Sequence, residues 1–393
     1  MIEVDEALRI VLAHARPLAA GPAVPTLGRV LAEDVAADLD SPPFAKALMD
    51  GYAVRSTDLR DGHGSFAVVG EVAAGSLPTL AVTPGTATRI FTGAKLPAGA
   101  DAVVKQELAV TSADGRVTLT DPSAKPGRNV MERGREMRAG EVVLSAGTVL
   151  TPAALGVCAT LGRAAVLMIP AANVAIVTTG DELVGAGVTP AGAQIRDSNG
   201  PMLAGLVQRA GATPRRLGPA RDDEAALTAM LRDALATAEV VLVVGGVSVG
   251  AFDLVPQVLA SLGVTAHFHK VRMKPGKPLL FGTQGDKLVF GLPGNPVSAF
   301  VGFELFVRPA LRALAGLPPA WHPPTTGTLA ADFAAGNDRP TFHPVKLSGS
   351  SVLPLPWFGS ADLRALLAAD ALMRLPAGNV ALRAGDPVPL VLI

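Results

Sequence analysis

The chain has 393 residues, of which 49% are hydrophobic and 17% charged, and its formal net charge is zero. That length predicts two to four domains, and that hydrophobic content excludes general disorder. The even charge balance and scattered basic residues argue against a nucleic-acid-binding protein, and no apolar run reaches the roughly 20 residues that a membrane span needs.

The first third of the chain is predicted to begin with a helix and to continue as a small β module. The opening stretch, "MIEVDEALRIVLAHARPL", has helical spacing of apolar residues and carries acids, so we expect a docking helix and not a signal peptide. Short β-like runs recur between turn signals from about residue 44 to 130. Residues 131–169 show no single strand or helix pattern throughout, and a helix is predicted over "TPAALGVCATLG". The single cysteine, Cys158, excludes internal disulfides and thiolate zinc clusters, and we expect a soluble cytoplasmic protein.

From Asn173 onward, predicted strands and helices alternate. "NVAIVTTGDEL" predicts a strand and a glycine turn, and "SNGPMLAGLVQRAG" predicts a helix that Ser198 or Asn199 can cap. "KLVFGLPGNP" predicts a last strand that leads into the helix "VSAFVGFELFVRPALRALAG". The alternation predicts a doubly wound, mostly parallel α/β sheet whose ligands bind beyond the carboxyl ends of its strands. After the Pro-rich "GLPPAWHPP", the remaining residues predict a second β module.

The stretch "EVVLVVGGVSVGAFD" carries the most informative chemistry. Its apolar run predicts a strand buried on both faces, and the glycines that follow allow the backbone to approach a ligand closely. The amides at such a turn favour an anion, whereas Asp253 repels one unless a cation lies between them. The pattern therefore indicates a phosphate-bearing ligand with a divalent metal held by Asp253, and an ordinary turn with an exposed acid stays open as the alternative.

Two further strand ends, "TTGDEL" and "GLPGNP", are expected to open onto the same crevice. "KVRMKPGKP" adds Lys270, Lys274 and Lys277, which can bind an oxyanion but can also form a solvated face. The glycine spacing matches neither a P-loop nor a dinucleotide fingerprint. His267 and His269 lack an apparent third metal ligand and are expected to be structural or solvated.

The motifs "LMDGYAV", "TTGDEL", "IRDSN", "GGVSVGAFD", "KPGKP" and "GLPGNPVSAF" with "FELFVRP" occur in the order found in molybdopterin molybdotransferases. The chain resembles this family, which includes MoeA and the gephyrin E-domain, from about residue 4 to its end. The resemblance implies a homodimer with an α/β domain similar to the molybdopterin adenylyltransferase domain. It implies a linker domain over 1–43 and 131–169, an inserted β module over 44–130, the α/β molybdopterin-binding domain over 170–317 and a C-terminal β domain over 318–393.

The resemblance also implies a reaction, in which Mg²⁺-dependent hydrolysis of adenylylated molybdopterin releases AMP and molybdate is inserted. It assigns catalysis to Asp50, Asp222, Asp253, Lys270 and Lys274, with Mg²⁺ on Asp222 and Asp253. The residues implied to bind nucleotide and pterin are Thr92, Gly180, Glu182, Gly245, Gly246, Ser248, Gly294, Asn295 and Pro296. Those implied to bind molybdate are Lys274, Lys277, Arg339 and Ser360. Asp50 and Thr92 are implied to face the α/β domain of the partner chain. Molybdopterin adenylyltransferase and molybdoenzyme acceptors are the implied partners, with no nucleic acid and no membrane.

The chain departs from the family pattern at several positions, which are Ala47, Met131, Arg135, Val244 and His343. Each replaces a hydroxyl, basic or acidic residue that is common there, and a lost ligand contact would cost about 1 kcal/mol. The residues implied to bind metal and molybdate are retained, which favours activity. The alternative function is a non-catalytic paralogue that binds molybdopterin or the molybdenum cofactor. A structural scaffold and an adenylyltransferase are further alternatives.

Overall fold

The computed structural model describes residues 1–246, 254–319 and 325–393, and the chain divides into two compact units. Residues 1–32 and 167–393 form the first unit, and residues 33–166 form the second. Within the described ranges, no helix is both long and apolar enough to cross a membrane. The residues predicted to bind ligands at Ser248 and Asp253 lie outside the described residues.

The helices of the described ranges are α1 (Val4–His14), α2 (Pro152–Thr160), α3 (Asn199–Arg209), α4 (Glu224–Thr237), α5 (Val255–Ser261), α6 (Pro296–Gly302) and α7 (Arg308–Leu314). A π-helical turn, Phe303–Val307, joins the last two, and short 3-10 helices cover Ser56–Asp58, Gln106–Leu108 and Leu363–Ala368. The strands are β1 (Gly21–Ala23), β2 (Val30–Leu31), β3 (Val35–Ala36), β4 (Lys46–Ala47), β5 (Gly51–Val54), β6 (His63–Val72), β7 (Thr86–Ile90), β8 (Ala102–Lys105), β9 (Ala109–Thr111), β10 (Arg116–Thr120), β11 (Val130–Met131), β12 (Val142–Leu144), β13 (Val166–Ile169), β14 (Asn173–Thr179), β15 (Leu183–Val184), β16 (Ile195–Arg196), β17 (Thr213–Ala220), β18 (Val240–Val244), β19 (Thr265–Lys270), β20 (Pro278–Gln284), β21 (Lys287–Leu292), β22 (Thr325–Leu329), β23 (Phe333–Asn337), β24 (Thr341–Ser348), β25 (Ser351–Pro354), β26 (Ala371–Leu375), β27 (Gly378–Leu382) and β28 (Pro387–Leu392).

The second unit is built around a six-stranded sheet of order β8-β5-β7-β6-β10-β9. Successive residues of its strands point to opposite faces, and one face packs a small core that includes Phe66, Val104 and Leu119, while Ile90 and Val103 belong to a second cluster. Two short ribbons, β4 with β11 and β3 with β12, complete the strand pairing. Helix α2 begins at a proline, and the Thr151 hydroxyl caps it by accepting from the Ala154 amide at 3.2 Å.

The first unit contains the doubly wound α/β sheet that the alternation of elements predicts. Its order is β17-β14-β18-β21-β20-β19, in which β20 runs antiparallel to both of its neighbours and the other five strands run in one direction. Both faces are covered, because Val240, Leu242 and Val244 join one apolar cluster while Val241 and Val243 join the other. The strand "VVLVV" is therefore buried along its whole length, as expected for a central strand of a parallel sheet.

The C-terminal residues of the first unit form a closed barrel of order β22-β25-β24-β26-β28. Phe342 and Leu372 of this barrel belong to the same apolar cluster as one face of the α/β sheet. The barrel is also tied by its backbone to the "KPGKP" loop: the Lys274 amide donates to the Pro340 carbonyl at 2.8 Å, and the Phe342 amide donates to the Lys274 carbonyl at 2.8 Å. These bonds bring residues from distant parts of the chain to one place.

The long helix predicted after "GLPGNP" is present but contains the π-helical turn noted above. Glu304 lies within this turn, is fully buried, and pairs with Arg209 and, at 2.7 Å, with Arg308. Burial raises the pKa of the Glu304 carboxyl, and the two arginines oppose that rise. Arg308 in turn donates to the Leu392 carbonyl at 3.0 Å, which joins the helix to the barrel.

Candidate functional site

Three adjacent strands of the α/β sheet end at one edge and there form a cavity. Strand β18 lies between β14 and β21, with Val244 opposite Thr178 on one side and Leu292 on the other. The loops that follow these strands surround a cavity of about 700 Å³, here called the first cavity. Its described lining residues are Thr179, Gly180, Glu182, Leu183, Ile195, Arg196, Ser198, Asn199, Asp222, Leu227, Val244, Gly245, Gly246, Leu254, Val255, Pro278, Pro293, Gly294, Asn295, Pro296 and Ala361.

Glycine is required at two corners of the first cavity. Gly245 has a φ of 95°, and a Cβ there would lie 2.5 Å from the Thr179 carbonyl oxygen. Gly180 has a φ of 147°, and a Cβ there would lie 2.5 Å from a carboxylate oxygen of Glu182. Both backbone conformations disfavour a side chain. At Gly245 the Thr179 backbone also leaves no space for one, whereas at Gly180 the neighbouring atoms are the movable end of the Glu182 side chain. These corners therefore present bare backbone to the cavity.

The acidic side of the first cavity is formed by Asp222 and Glu182. Asp222 Oδ1 accepts from the Thr179 hydroxyl at 2.9 Å, and the Asp222 amide donates to Asp181 at 3.2 Å. Among the residues that the structure describes, no group of three or more His, Cys, Asp or Glu side chains is arranged to hold a metal ion. The oxygen donors present suit Mg²⁺, which usually binds one or two carboxylates together with the phosphates of its ligand.

The start of α3 differs from the prediction made for its cap. Ser198 precedes the helix but makes no side-chain cap hydrogen bond, and the expected capping by Ser198 or Asn199 is therefore wrong. The buried carboxylate of Asp197 accepts from the Gly200 amide at 2.9 Å and from the Thr178 hydroxyl at 3.2 Å. Asn199 instead donates from Nδ2 to the Gly294 carbonyl at 2.7 Å, which holds the "GLPGNP" loop against this helix.

A second cavity of about 490 Å³ lies beside the first and carries most of the positive charge. Its described lining residues are Met273, Lys274, Pro275, Gly276, Lys277, Pro278, Pro293, Asn295, Ser298, Arg339, Trp357, Gly359 and Ser360. The structure thus places the four residues predicted to bind molybdate around one cavity. A tetrahedral dianion needs several converging donors, and this set offers two ammonium groups, one guanidinium and one hydroxyl.

Arg339 is held in place by its sequence neighbour. Its Nε donates to Asp338 Oδ1 at 3.0 Å, and a terminal nitrogen contacts Asp338 Oδ2 at 2.9 Å. The hydrogen bond from Arg339 is the main reason that the pKa of Asp338 lies below its ordinary value, and Lys274 contributes a smaller effect. Three cations and one neighbouring carboxylate leave a formal excess of two positive charges, which matches a dianion.

The two cavities share part of their walls. Pro278, Pro293 and Asn295 line both of them. Asn295 Nδ2 donates to Ser360 Oγ at 3.0 Å, and the Val297 amide donates to the Ser360 carbonyl at 3.0 Å. The "GLPGNP" loop therefore forms the partition between the two cavities and positions Ser360.

The remaining predicted residues are placed elsewhere. Lys270 ends β19 and is absent from the described lining of both cavities. Asp50 and Thr92 belong to the second unit, where Asp50 Oδ1 accepts from both the amide and the hydroxyl of Thr92 at 2.7 Å. These bonds lower the pKa of Asp50. Of the predicted residues, Ser248 and Asp253 alone cannot be placed, since they lie outside the described ranges.

Several lining residues were given no site role from the sequence, among them Arg196, Asn199 as a loop contact, and Trp357. The signal available for Trp357 was an aromatic residue three positions before Ser360 in "PWFGS". Two of the departures from the family pattern lie at the cavity walls, one in the lining itself and one behind a lining residue. Val244 lines the first, and His343 packs edge-on against Trp357 with ring centroids 5.6 Å apart.

The other noted positions have structural roles or lie away from the cavities. Ala47 is buried in β4, and Met131 and Arg135 line a separate hollow of the second unit. His267 stacks on His14 at 4.1 Å and contacts the Thr283 hydroxyl at 2.9 Å, in line with the structural role expected for it.

Comparison with known proteins gives a consistent result along the chain. A family model described as the MoeA N-terminal region (domain I and II) matches residues 2–162. One described as a probable molybdopterin binding domain matches residues 175–313, and one described as the MoeA C-terminal region (domain IV) matches residues 326–393.

Individual relatives cover most of the chain. A Staphylococcus aureus protein named molybdopterin molybdenumtransferase is 35% identical over 375 residues, which are 93% of this chain and 89% of the relative. A Nostoc protein of the same name is 41% identical over 303 residues, which are 75% of this chain and 69% of the relative. A crystal structure of a molybdopterin biosynthesis MoeA protein from Pyrococcus horikosii has a TM-score of 0.84 and 31% identity, covering 100% of this chain and 99% of that one.

Proposed function

The chain belongs to the MoeA family, and we propose that it is a molybdopterin molybdenumtransferase of molybdenum cofactor biosynthesis. In the proposed reaction, water cleaves the diphosphate of adenylylated molybdopterin and AMP leaves. The two dithiolene thiols of molybdopterin give their protons to one molybdate oxygen, which departs as water while both sulfurs bond to molybdenum. The substrates are therefore a diphosphate ester and a tetrahedral oxyanion.

The observation that supports this proposal is the adjacency of two chemically different cavities. The first has bare glycine corners and carboxylates, which suit a diphosphate accompanied by a cation. The second has Lys274, Lys277 and Arg339, which suit an oxyanion. Because the two cavities are adjacent and share Pro278, Pro293 and Asn295, a substrate in the first cavity can present its sulfurs to an oxyanion in the second.

The residues near the first cavity also fit a magnesium ion. Asp222, with one carboxylate oxygen engaged by Thr179, would hold the ion together with Asp253. When bound, Mg²⁺ would neutralise charge on the diphosphate and orient it. The chain's own groups bind and orient the rest of the substrate: the glycine corners face its phosphates, and the loop with Asn295 faces its ring system.

Release of AMP by the purified protein tests this function. The protein is incubated with adenylylated molybdopterin, Mg²⁺ and molybdate, and AMP is measured by chromatography. Asp222→Asn is expected to lower the rate by at least about tenfold, because it removes a charged metal ligand. Asp286→Asn, at an exposed hairpin position, is the matched control and is expected to keep the rate. Tight substrate binding without AMP release would instead favour the non-catalytic paralogue.

We further propose a cytoplasmic homodimer. Molybdopterin adenylyltransferase would supply its substrate, and molybdoenzymes would accept its product. These proposals follow from the family resemblance and from the chemistry of the substrate, which must be adenylylated before this step.

A further inference from the structure

Arg196 is the one cationic side chain among the described residues that line the first cavity. The same lining includes the carboxylates of Glu182 and Asp222, which repel a phosphate. The cations Lys274, Lys277 and Arg339 line the second cavity and are absent from the first. An anionic group in the first cavity therefore has Arg196 as its described protein counter-charge.

The backbone at Arg196 is held in a defined position. Strand β16, which ends at Arg196, pairs in parallel with β15, and the Ile195 amide donates to the Glu182 carbonyl at 2.7 Å. The next residue, Asp197, is 5% exposed and is bonded to Thr178 and to the first turn of α3. Arg196 thus projects from a short segment fixed at both ends, which reduces the entropy lost when it binds a ligand.

The guanidinium group is itself partly oriented. Its Nε donates to the Val188 carbonyl at 3.0 Å. Its two terminal nitrogens make no hydrogen bond or ion pair with the part of the chain that the structure describes. Anchoring through Nε leaves the terminal nitrogens available, and such a pair is well suited to two phosphate oxygens.

We propose that Arg196 binds the phosphate groups of the substrate in the first cavity. This inference rests on the proposed function, which places a diphosphate there, and it assigns Arg196 as a substrate-binding residue. The terminal guanidinium nitrogens donate to phosphate oxygens and offset the repulsion from Glu182, whereas the magnesium ion of the proposed function would offset the repulsion from Asp222. Stacking of the guanidinium on a purine or pterin ring is a different role, and the experiment below separates the two.

The test compares the binding of AMP and adenosine by calorimetry, using the full-length protein with Mg²⁺. The two probes differ only in the phosphate, so their affinity ratio reports the phosphate contact. Arg196→Ala is expected to weaken AMP binding by about tenfold or more and to leave adenosine binding within about twofold. Arg196→Lys keeps the positive charge but lacks the paired terminal nitrogens of a guanidinium. It is expected to weaken AMP binding by an intermediate factor and to leave adenosine binding unchanged. Circular dichroism confirms that each variant is folded.

Arg215→Ala provides the matched control. Arg215 is an arginine of the same unit, pairs with Asp233 at 2.8 Å, and is absent from the described lining of the first cavity, so this variant is expected to bind AMP normally. An Arg196→Ala protein that keeps the full preference for AMP over adenosine overturns the inference. So does an equal loss for both probes, which indicates ring stacking. If the wild-type protein itself shows no preference for AMP, the diphosphate site of the proposed function fails as well.

Discussion

Asn295 donates from its side-chain amide to the Ser360 hydroxyl oxygen at 3.0 Å, a contact between residues 65 positions apart. Asn295 lines both cavities, and Ser360 lines the second. The Ser360 oxygen accepts this bond, so its hydroxyl hydrogen can be donated to a bound oxyanion. One side-chain pair therefore couples the loop at the first cavity to the donor set of the second.

Loss of this contact should weaken the use of molybdate. Asn295→Ala is expected to raise the molybdate concentration for half-maximal AMP release or molybdenum insertion by about fivefold, since one neutral hydrogen bond contributes about 1 kcal/mol. The measurement is the rate as a function of molybdate concentration. Asn379→Ala, at an exposed position of β27, serves as control. An unchanged molybdate dependence in Asn295→Ala would show that the pair does not position Ser360.

The glycine corner at the end of β18 should be intolerant of any side chain. Gly245→Ala places a Cβ 2.5 Å from the Thr179 carbonyl oxygen, whereas Gly285→Ala meets nothing within 4 Å, and both positions have positive φ. Gly245→Ala is therefore expected to lower the free energy of unfolding by about 2 kcal/mol more than Gly285→Ala does. Chemical denaturation of both variants measures the difference. Equal losses would mean that the strand end can shift without cost.

Acid should destabilise the protein partly through His343. Burial lowers the pKa of His343 in the folded protein, and its contact with the Leu355 carbonyl offsets only part of that effect. The unfolded chain, with the ordinary value of 6.5, therefore takes up a proton first as the pH falls. Stability is lost as the pH drops through that value, until the pH falls below the pKa of the folded state.

Replacing His343 by Gln should reduce this acid sensitivity. Between pH 7.5 and 5.5, the thermal midpoint of His343→Gln is expected to fall by about 2 °C less than that of the wild-type protein. His63→Gln, at an exposed histidine of the second unit, is the control and should behave as the wild type does. A variant that retains the full decline would place the acid-sensitive group elsewhere.

The homodimer proposal predicts complementation between inactive chains. By the family resemblance, Asp50 of one chain acts with the α/β domain of its partner. Mixed dimers of Asp50→Ala and Asp222→Ala chains should then recover about a quarter to a half of wild-type activity, because one composite site in each heterodimer is intact. Activity is measured after subunit exchange, with heterodimers quantified by native mass spectrometry. Heterodimers without activity would exclude a shared site.

The α/β sheet could be predicted from the sequence because its central strands carry uninterrupted apolar runs. Strand β18 is buried on both faces, and few arrangements other than a parallel sheet covered by helices accommodate such a run. The glycine corners were equally visible, since Gly180 and Gly245 follow such strands directly. These features depend on local pattern, which the sequence displays.

The second cavity depends on contacts that local pattern does not display. Arg339 and Ser360 come from the barrel end of the chain, and only the family resemblance linked them to Lys274. The cap of α3 was mispredicted because Asp197, one residue earlier than expected, reaches the helix amide. Arg196 occurs in the "IRDSN" motif but was given no role of its own, because an exposed arginine in a two-residue strand has no distinctive spacing.

A crystal of the protein soaked with molybdate tests the central claim most directly, because molybdenum scatters anomalously and its position can be determined without ambiguity. The two-cavity arrangement predicts one anomalous peak in the second cavity, within hydrogen-bonding distance of Lys274, Lys277, Arg339 and Ser360. A peak in the first cavity beside Asp222, or a second cavity that stays empty while molybdate binds elsewhere, would contradict it.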